Sequence, residues 1–342
     1  MEFLYLLWLG KPLWMWLGFV GIVIALMALD LGVLHRKAKE IGVTESLLMS
    51  AFYIGLGLAF GGWVWWYLGA ESGMLYITGF VVEKSLAMDN VFVIAMIFAF
   101  FGIPRIHQHR VLLWGIIGVI ILRGIMIGVG ATLVSEFYWV LYIFAAFLIY
   151  TGYKMWAMAD EEYDVSASPI YKFAKRRFRM TDGLRGERFF VKETDPATGK
   201  VVRYMTPLFL CLLMVEFADV IFAVDSVPAI FAITTDPFLV YTSNIFAILG
   251  LRALYFALAA MVDRFHYLKY ALSVLLVFIG SKIFVADMLG LAKIPPPVSL
   301  GVTFAILTAG VVYSLYKTRG HQVPPKGDEI PLEARRALEP GA

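Results

Sequence analysis

Three carboxylates, Glu216, Asp219 and Asp225, lie inside the run M-V-E-F-A-D-V-I-F-A-V-D-S-V-P-A-I-F-A-I-T (214–234), which is otherwise apolar and long enough to cross a bilayer. A charge near the bilayer centre costs at least ~2.5 kcal/mol on insertion scales, so three on one helix require partners. Pro228 follows Asp225 by three residues. It donates no hydrogen bond and clashes with the preceding turn, so this helix is expected to kink or break beside the acids. Carboxylates next to freed backbone carbonyls would suit a cation. A second acidic cluster, V-E-K-S-L-A-M-D-N, places Glu83, Lys84, Asp89 and Asn90 in another apolar run. Glu216 and Asp219, three apart, share a helical face. Glu83 and Asp89, six apart, point roughly 120° apart on an intact helix. The pairs Glu83/Asp89 and Asp219/Asp225 therefore serve one site only if each helix unwinds; otherwise they mark two points along a path.

The elements that must hold these acids are membrane helices. Of 342 residues 61% are hydrophobic and only 16% charged, with a mean hydropathy of +0.78; soluble domains carry roughly 25% charge. At about 20 apolar residues per crossing, nine segments qualify: 12–34, 47–68, 74–101, 111–133, 137–157, 206–234, 239–262, 268–289 and 297–317. The fold class expected is an all-α polytopic membrane protein with about nine transmembrane helices. Residues 1–157 carry the first five, 158–205 form a cytoplasmic loop, 206–319 carry the last four, and 320–342 form a disordered, Pro- and charge-rich cytoplasmic tail.

Basic residues set the orientation. Arg36, Lys37 and Lys39, Arg105 and Arg110, the bases from Lys172 to Arg203, Arg264 and Lys269, and the tail from Lys317 to Arg336 all fall on one side; Lys11 and Lys293 fall on the other. The expected topology is N-terminus outside and C-terminus in the cytoplasm. No basic region or cleavage site marks a removable signal peptide at the start. Trp63, Trp65 and Trp66 read as interfacial anchors. In the loop, a basic amphipathic stretch (Tyr171 to Arg179) precedes two β-prone runs around D-P-A-T-G, the pattern of a hairpin. Its bases and acids nearly balance, which argues against nucleic acid and leaves contact with lipid headgroups.

An internal repeat is visible. Glu83, Asp89, Asn90 and Val91 match Asp219, Asp225, Ser226 and Val227 at a spacing of 136 residues. Arg123 in I-L-R-G matches Arg252 in G-L-R-A at 129, and Lys154 in T-G-Y-K matches Lys282 in I-G-S-K at 128. The third and sixth segments cross in opposite directions, so segments 3–5 and 6–8 are candidate inverted three-helix repeats, as in many secondary transporters.

Six acids (Asp30, Glu83, Asp89, Glu216, Asp219, Asp225) face four bases (Lys84, Arg123, Arg252, Lys282) within the spans. One divalent cation or two protons would neutralise the surplus, and so would simple protonation. For Asp30 an interfacial carboxylate is an equal alternative. All five histidines (His35, His107, His109, His266, His321) are expected in loops or tail, leaving oxygen donors that suit Mn, Mg or Ca better than Zn or Cu. Met88, or Met214 with Cys211, could add a soft ligand, although packing is the commoner use of such residues. The single cysteine, Cys211, excludes an internal disulfide and a multi-Cys metal site. A purely structural set of ion pairs is the bland alternative, but buried pairs stabilise poorly, and six acids exceed what packing requires.

The stretches E-K-S-L-A-M-D-N, V-E-F-A-D-V-I-F-A-V-D-S-V-P-A-I-F-A-I-T and S-N-I-F-A-I-L-G-L-R-A-L-Y-F resemble the TerC family, in its Alx-like branch, across about residues 12–317. That family is associated with tellurium resistance by name and with manganese homeostasis, chiefly Mn²⁺ efflux. The resemblance implies that Glu83, Asp89, Glu216, Asp219 and Asp225 carry the ion, with Asn90, Ser226 and Asn244 in second rank. The resulting expectation is a bacterial inner-membrane secondary transporter that exports Mn²⁺, with protons as counter-ion and no organic cofactor. No G-x-x-x-x-G-K-[ST] motif supplies ATP chemistry, and no nucleophile constellation marks an enzyme. A membrane partner that supplies metal to secreted enzymes, or senses ions or stress through its loop, is the alternative. The sequence leaves open a homo-oligomer or a secretion-machinery partner.

Overall fold

The computed structural model describes residues 2–32, 43–158, 165, 168–194, 200–259, 267–291 and 294–318. After a short hairpin (β1, Leu7–Trp8; β2, Lys11–Pro12) come α1 (Leu13–Gly32), α2 (Val43–Leu68), α3 (Ala70–Phe100), α4 (Arg105–Glu136) and α5 (Val140–Ala157). A small unit follows: α6 (Pro169–Arg177) and an antiparallel hairpin of β3 (Phe190–Thr194) and β4 (Val201–Met205). Then come α7 (Pro207–Ile233), α8 (Pro237–Ile248), α9 (Leu251–Ala259), α10 (Leu268–Met288) and α11 (Pro296–Lys317). The D-P-A-T-G turn, the loop acids from Asp160 to Asp164 and the tail after Thr318 lie outside the described residues.

The protein is an all-α polytopic membrane protein. Among the described residues, seven spans are long and apolar enough to cross a bilayer, with α8 and α9 counted as one. The apolar part of α1, Leu13–Leu29, is shorter, and α3 carries Glu83, Lys84 and Asp89 mid-helix. Local chemistry sets the ends. Pro207, Pro237 and Pro296 open α7, α8 and α11, where the missing N–H has no partner to lose. Asp236 caps α8 by accepting from the Phe238 and Leu239 amides at 2.9 and 3.4 Å, and Lys11 pairs with it at 2.9 Å.

Two expectations are corrected. α7 runs unbroken through Pro228. Proline removes one hydrogen bond, and Val227 to Phe231 are buried around it, so packing holds the helix together. The break occurs one segment later, between α8 and α9, where Gly250 takes φ +82°. A Cβ there would stand 2.6 Å from Tyr53 Cβ, so glycine is required twice over. This segment is enclosed by the other helices, with 94% of its apolar window buried; irregular backbone at membrane depth is tolerated only within protein or a cavity. The histidine placement is also revised: His107 and His109 lie in the opening turns of α4, which begins at Arg105 instead of 111.

The repeat is visible in the packing. Gly152 on α5 abuts α10, where an added Cβ would lie 2.8 Å from both the Ser273 carbonyl and Val277 Cγ2. Gly280 on α10 abuts α5, where a Cβ would lie 2.6 Å from the Ala145 carbonyl and 2.9 Å from Ile149 Cγ1. The spacing of 128 converts Gly152 into Gly280, Ala145 into Ser273 and Ile149 into Val277. Each glycine therefore receives the counterparts of the residues that the other receives, as a two-fold axis between α5 and α10 demands. Likewise α3 packs on α8 as α7 packs on α4.

The α6–hairpin unit packs onto one end of the bundle. Arg110 of α4 pairs with Glu187 at 3.2 Å and lies over the Phe189 ring at 5.1 Å. Ala174, Met205 and Leu210 form a small core beneath it.

Candidate functional site

α3, α4 and α7 meet around one guanidinium. Arg123, 1% exposed, donates from Nη1 to the Glu83 carboxylate and to Ser226 Oγ (2.8 Å), and from Nη2 to Asp219 Oδ1 (3.4 Å). Glu83 is 1% and Asp219 6% exposed. Neither carboxylate could be buried alone, and Arg123 is the group that holds them. The second carboxylate oxygen of Asp219 has no hydrogen-bond partner among the described residues.

A small, mostly apolar cavity of ≈ 20 Å³ reaches Asp219. Asn90 and Ile94 of α3, Leu112 and Ile116 of α4 and Arg252 of α9 help to line it. These residues follow Glu83 on α3 and precede Arg123 on α4, so the cavity runs from the acids toward the α3–α4 connection. That is the end carrying Arg110 and the α6–hairpin unit. Its walls are mostly apolar; Asn90, Asp219 and Arg252 are its polar groups.

The other expected site residues are spread out. Asp225 accepts from Thr151 Oγ1 of α5 at 3.1 Å. With α7 unbroken, Asp219 and Asp225 mark two levels instead of one centre. Glu216 is half-buried, and its carboxylate covers Gly118 of α4, so that a Cβ there would have to push the carboxylate aside. Arg252 contacts His109 Nε2 at 3.0 Å. Lys84 Nζ donates to the Ala247 and Leu249 carbonyls at 3.0 and 3.5 Å. It thus serves the broken backbone of α8–α9 and not a carboxylate among the described residues. Lys282 reaches Ser299 Oγ of α11 at 3.4 Å. Asn244 is fully buried with neither amide atom hydrogen-bonded among the described residues. Met88, Met214 and Cys211 pack into the apolar cluster around α3, α7 and α9. The Asp30 and Asp89 side chains lie outside the described residues. Among the described residues no three His, Cys, Asp or Glu converge as a metal-binding group.

Thr151 was not singled out from the sequence, although it is a polar residue in a segment otherwise built from apolar ones; His109, in the polar run R-I-H-Q-H-R (105–110), was expected in a loop. Gly118 carries no sequence signal of its own; its role comes from what α7 places against it.

Residues 68–322 match the model of the integral membrane protein TerC family. The chain belongs to the TerC family. Among its relatives, an uncharacterized membrane protein of Myxococcus xanthus is 47% identical over 310 residues, covering 91% of this chain and 94% of that one. An uncharacterized membrane protein of Rickettsia bellii is 46% identical over 302 residues (88% and 97%). An Escherichia coli K12 protein named "Putative membrane-bound redox modulator Alx" is 44% identical over 321 residues (91% and 97%). No solved structure matches the chain.

Proposed function

We propose that this TerC protein is a secondary transporter that exports a divalent cation, Mn²⁺, from the cytoplasm in exchange for protons. The observation that carries the reading is Asp219: a buried carboxylate with one oxygen on Arg123 and the other without a hydrogen-bond partner among the described residues, at the end of a cavity. A cation arriving through the cavity competes with the guanidinium for Asp219 and Glu83. When it leaves, protons or Arg123 restore neutrality, and carboxylates that bind metal when ionised and protons otherwise couple the two fluxes. Asp225, held by Thr151, is a second stop on the path. The donors on offer, carboxylate, amide and hydroxyl oxygens, favour Mn²⁺, Mg²⁺ or Ca²⁺ over Zn²⁺ or Cu²⁺, and the family resemblance selects Mn²⁺. The location proposed is the bacterial inner membrane, and the distribution of Lys and Arg supports a cytoplasmic α6–hairpin unit.

The redox name carried by the Escherichia coli relative fits an indirect effect better than thiol chemistry here. Cys211 is the only cysteine and is fully buried. A membrane partner that supplies metal to secreted enzymes, or senses ions, is the second reading. The folded α6–hairpin unit docked on the bundle favours it.

Mn²⁺ uptake into proteoliposomes under an imposed pH gradient separates the two. Gradient-dependent flux lost in Asp219→Asn, Asp89→Asn and Asp225→Ala supports antiport. Negligible flux in the folded wild-type protein rejects autonomous transport and leaves the partner reading.

A further inference from the structure

Among the described residues the cavity is seen on one side of a two-fold scaffold. At the repeat spacings of 136 (α3 to α7) and 129 (α4 to α8–α9), each of its key wall positions has a counterpart. Ile94 corresponds to Ile230, Ile116 to Ile245, Gly115 to Asn244, Asn90 to Ser226, and Arg252 to Arg123. The acid at its end, Asp219, corresponds to Glu83. The counterparts therefore surround the same acid pair from the opposite side. There the structure is closed: Arg123 bonds Ser226 at 2.8 Å, and Gly79 of α3 lies against α8. A Cβ on Gly79 would stand 3.0 Å from Ser243 Oγ and 3.4 Å from Ile230 Cδ1 and from Ser243 Cβ.

Asn244 gives an independent reason to expect that this side opens. It stands in the closed half, where the open half has Gly115. It is 0% exposed, and neither its amide nitrogen nor its oxygen has a hydrogen-bond partner among the described residues. Such burial is costly in any environment, and a sequence selected only for this packing would place an apolar residue there. An amide is useful where water or a cation reaches it.

We infer that the protein has a second, alternately exposed cation vestibule, the two-fold counterpart of the observed cavity, lined by Ile230, Ile245, Asn244 and Ser226 and ending at Glu83. Opening it separates α8 from α3 at Gly79–Ser243. The same two-fold operation relates Gly79 of α3 to Val215 of α7, and α8 to α4; α4 and α7 then draw together beside Gly115, where an added Cβ would now stand 3.7 Å from Val215 Cγ1, and the observed cavity closes. The two arginines exchange roles: Arg252 takes the place beside Asp219 that Arg123 now holds. Asn244 becomes an oxygen donor to the passing cation. This rests on the transport reading, which supplies the cation, but its test does not depend on flux.

The test uses the full chain in a Cys211→Ala background with two matched probe pairs, Ile94→Cys with Ile230→Cys and Ile116→Cys with Ile245→Cys. A membrane-impermeant thiol reagent is applied to either face of oriented vesicles. Ile94→Cys and Ile116→Cys should react from the face carrying the α6–hairpin unit. Ile230→Cys and Ile245→Cys should react only from the opposite face. A lock sharpens the result. The Cβ positions at Gly79 and Ser243 are close enough for a disulfide. Oxidised Gly79→Cys/Ser243→Cys should abolish labelling of Ile245→Cys by more than tenfold while Ile116→Cys still reacts, and reduction should restore it. Ile230→Cys and Ile245→Cys inert from both faces, with and without Mn²⁺ and at every pH tried, while their partners react, would overturn the inference even if flux is intact. Alternating labelling without flux would instead uphold the second vestibule and reject transport.

Discussion

The two repeats start from matching motifs and arrive at different structures. In the first, α4 is continuous and its Arg123 is clamped by Glu83, Asp219 and Ser226. In the second, the matching helix is broken at Gly250, and its Arg252 lines an open cavity and contacts His109. Lys84 supplies part of the reason. It has no basic counterpart, since the matching position is Val220. Its ammonium takes the carbonyls that the break in α8–α9 frees. The cation beside freed carbonyls, which the sequence suggested at Pro228, is thus a lysine at a different helix. Where the repeats agree, at the α5–α10 seam, the contacts are paired and close. Where they differ, around the acids, the chain has room to change state.

The difference can be broken most severely at Arg123. Arg123→Ala leaves Glu83 and Asp219 buried without a counter-ion and should destabilise by about 3–5 kcal/mol, read as thermal unfolding in detergent. The double change Glu83→Gln/Arg123→Gln should recover at least half of that loss. Equal losses in the single and double variants would mean that Arg123 acts by bulk and not by charge. Lys84→Met, which leaves the Ala247 and Leu249 carbonyls unsatisfied, should cost about 1–3 kcal/mol. Its repeat counterpart Val220→Ala should cost about 1 kcal/mol, so equal effects would refute a special role for the lysine.

The seam tests where the repeats agree. Gly152→Ala and Gly280→Ala each force a methyl into the facing backbone and should each cost about 1–3 kcal/mol. The two losses should match within about 0.5 kcal/mol, whereas Gly124→Ala, with nothing within 4 Å of the added methyl, should be neutral. Unequal losses would place the two-fold axis elsewhere. The smallest effect on stability is expected at Asn244. Asn244→Leu removes an unpartnered buried amide and should leave the midpoint unchanged or raise it, while Mn²⁺ flux falls at least tenfold. A clear loss of stability would show that the amide is satisfied in the folded protein and is there for structure.

How much of this was legible beforehand differs by residue. The acids of 83–90 and 216–225 stood out because a bilayer makes every intramembrane charge conspicuous, and the repeat was readable because its motifs keep register over 128–136 residues. The β3–β4 pairing was legible from its composition. Pro228 misled because proline's cost is local, and the buried packing around it outweighs that cost. The break at Gly250 was not legible, because a glycine in an apolar run is common; only Tyr53, contributed by α2, makes it obligatory. Asp225 and Lys282 look like salt-bridge candidates in sequence, and nothing local indicated that they also meet Thr151 and Ser299, from other helices.

The sequence by itself determined the class of protein, the helices and their approximate ends, the two-fold repeat and the set of charges that cannot be buried alone. Hydrophobic length and charge cost are properties of single segments, and the bilayer reads them one segment at a time. Only the tertiary structure decided which charge meets which. Arg123 is 103 residues from Ser226 and 96 from Asp219, and no local rule selects among four buried bases. It also decided that one half of a symmetric scaffold is open and the other closed, because two packings of the same interface are compatible with the same motifs.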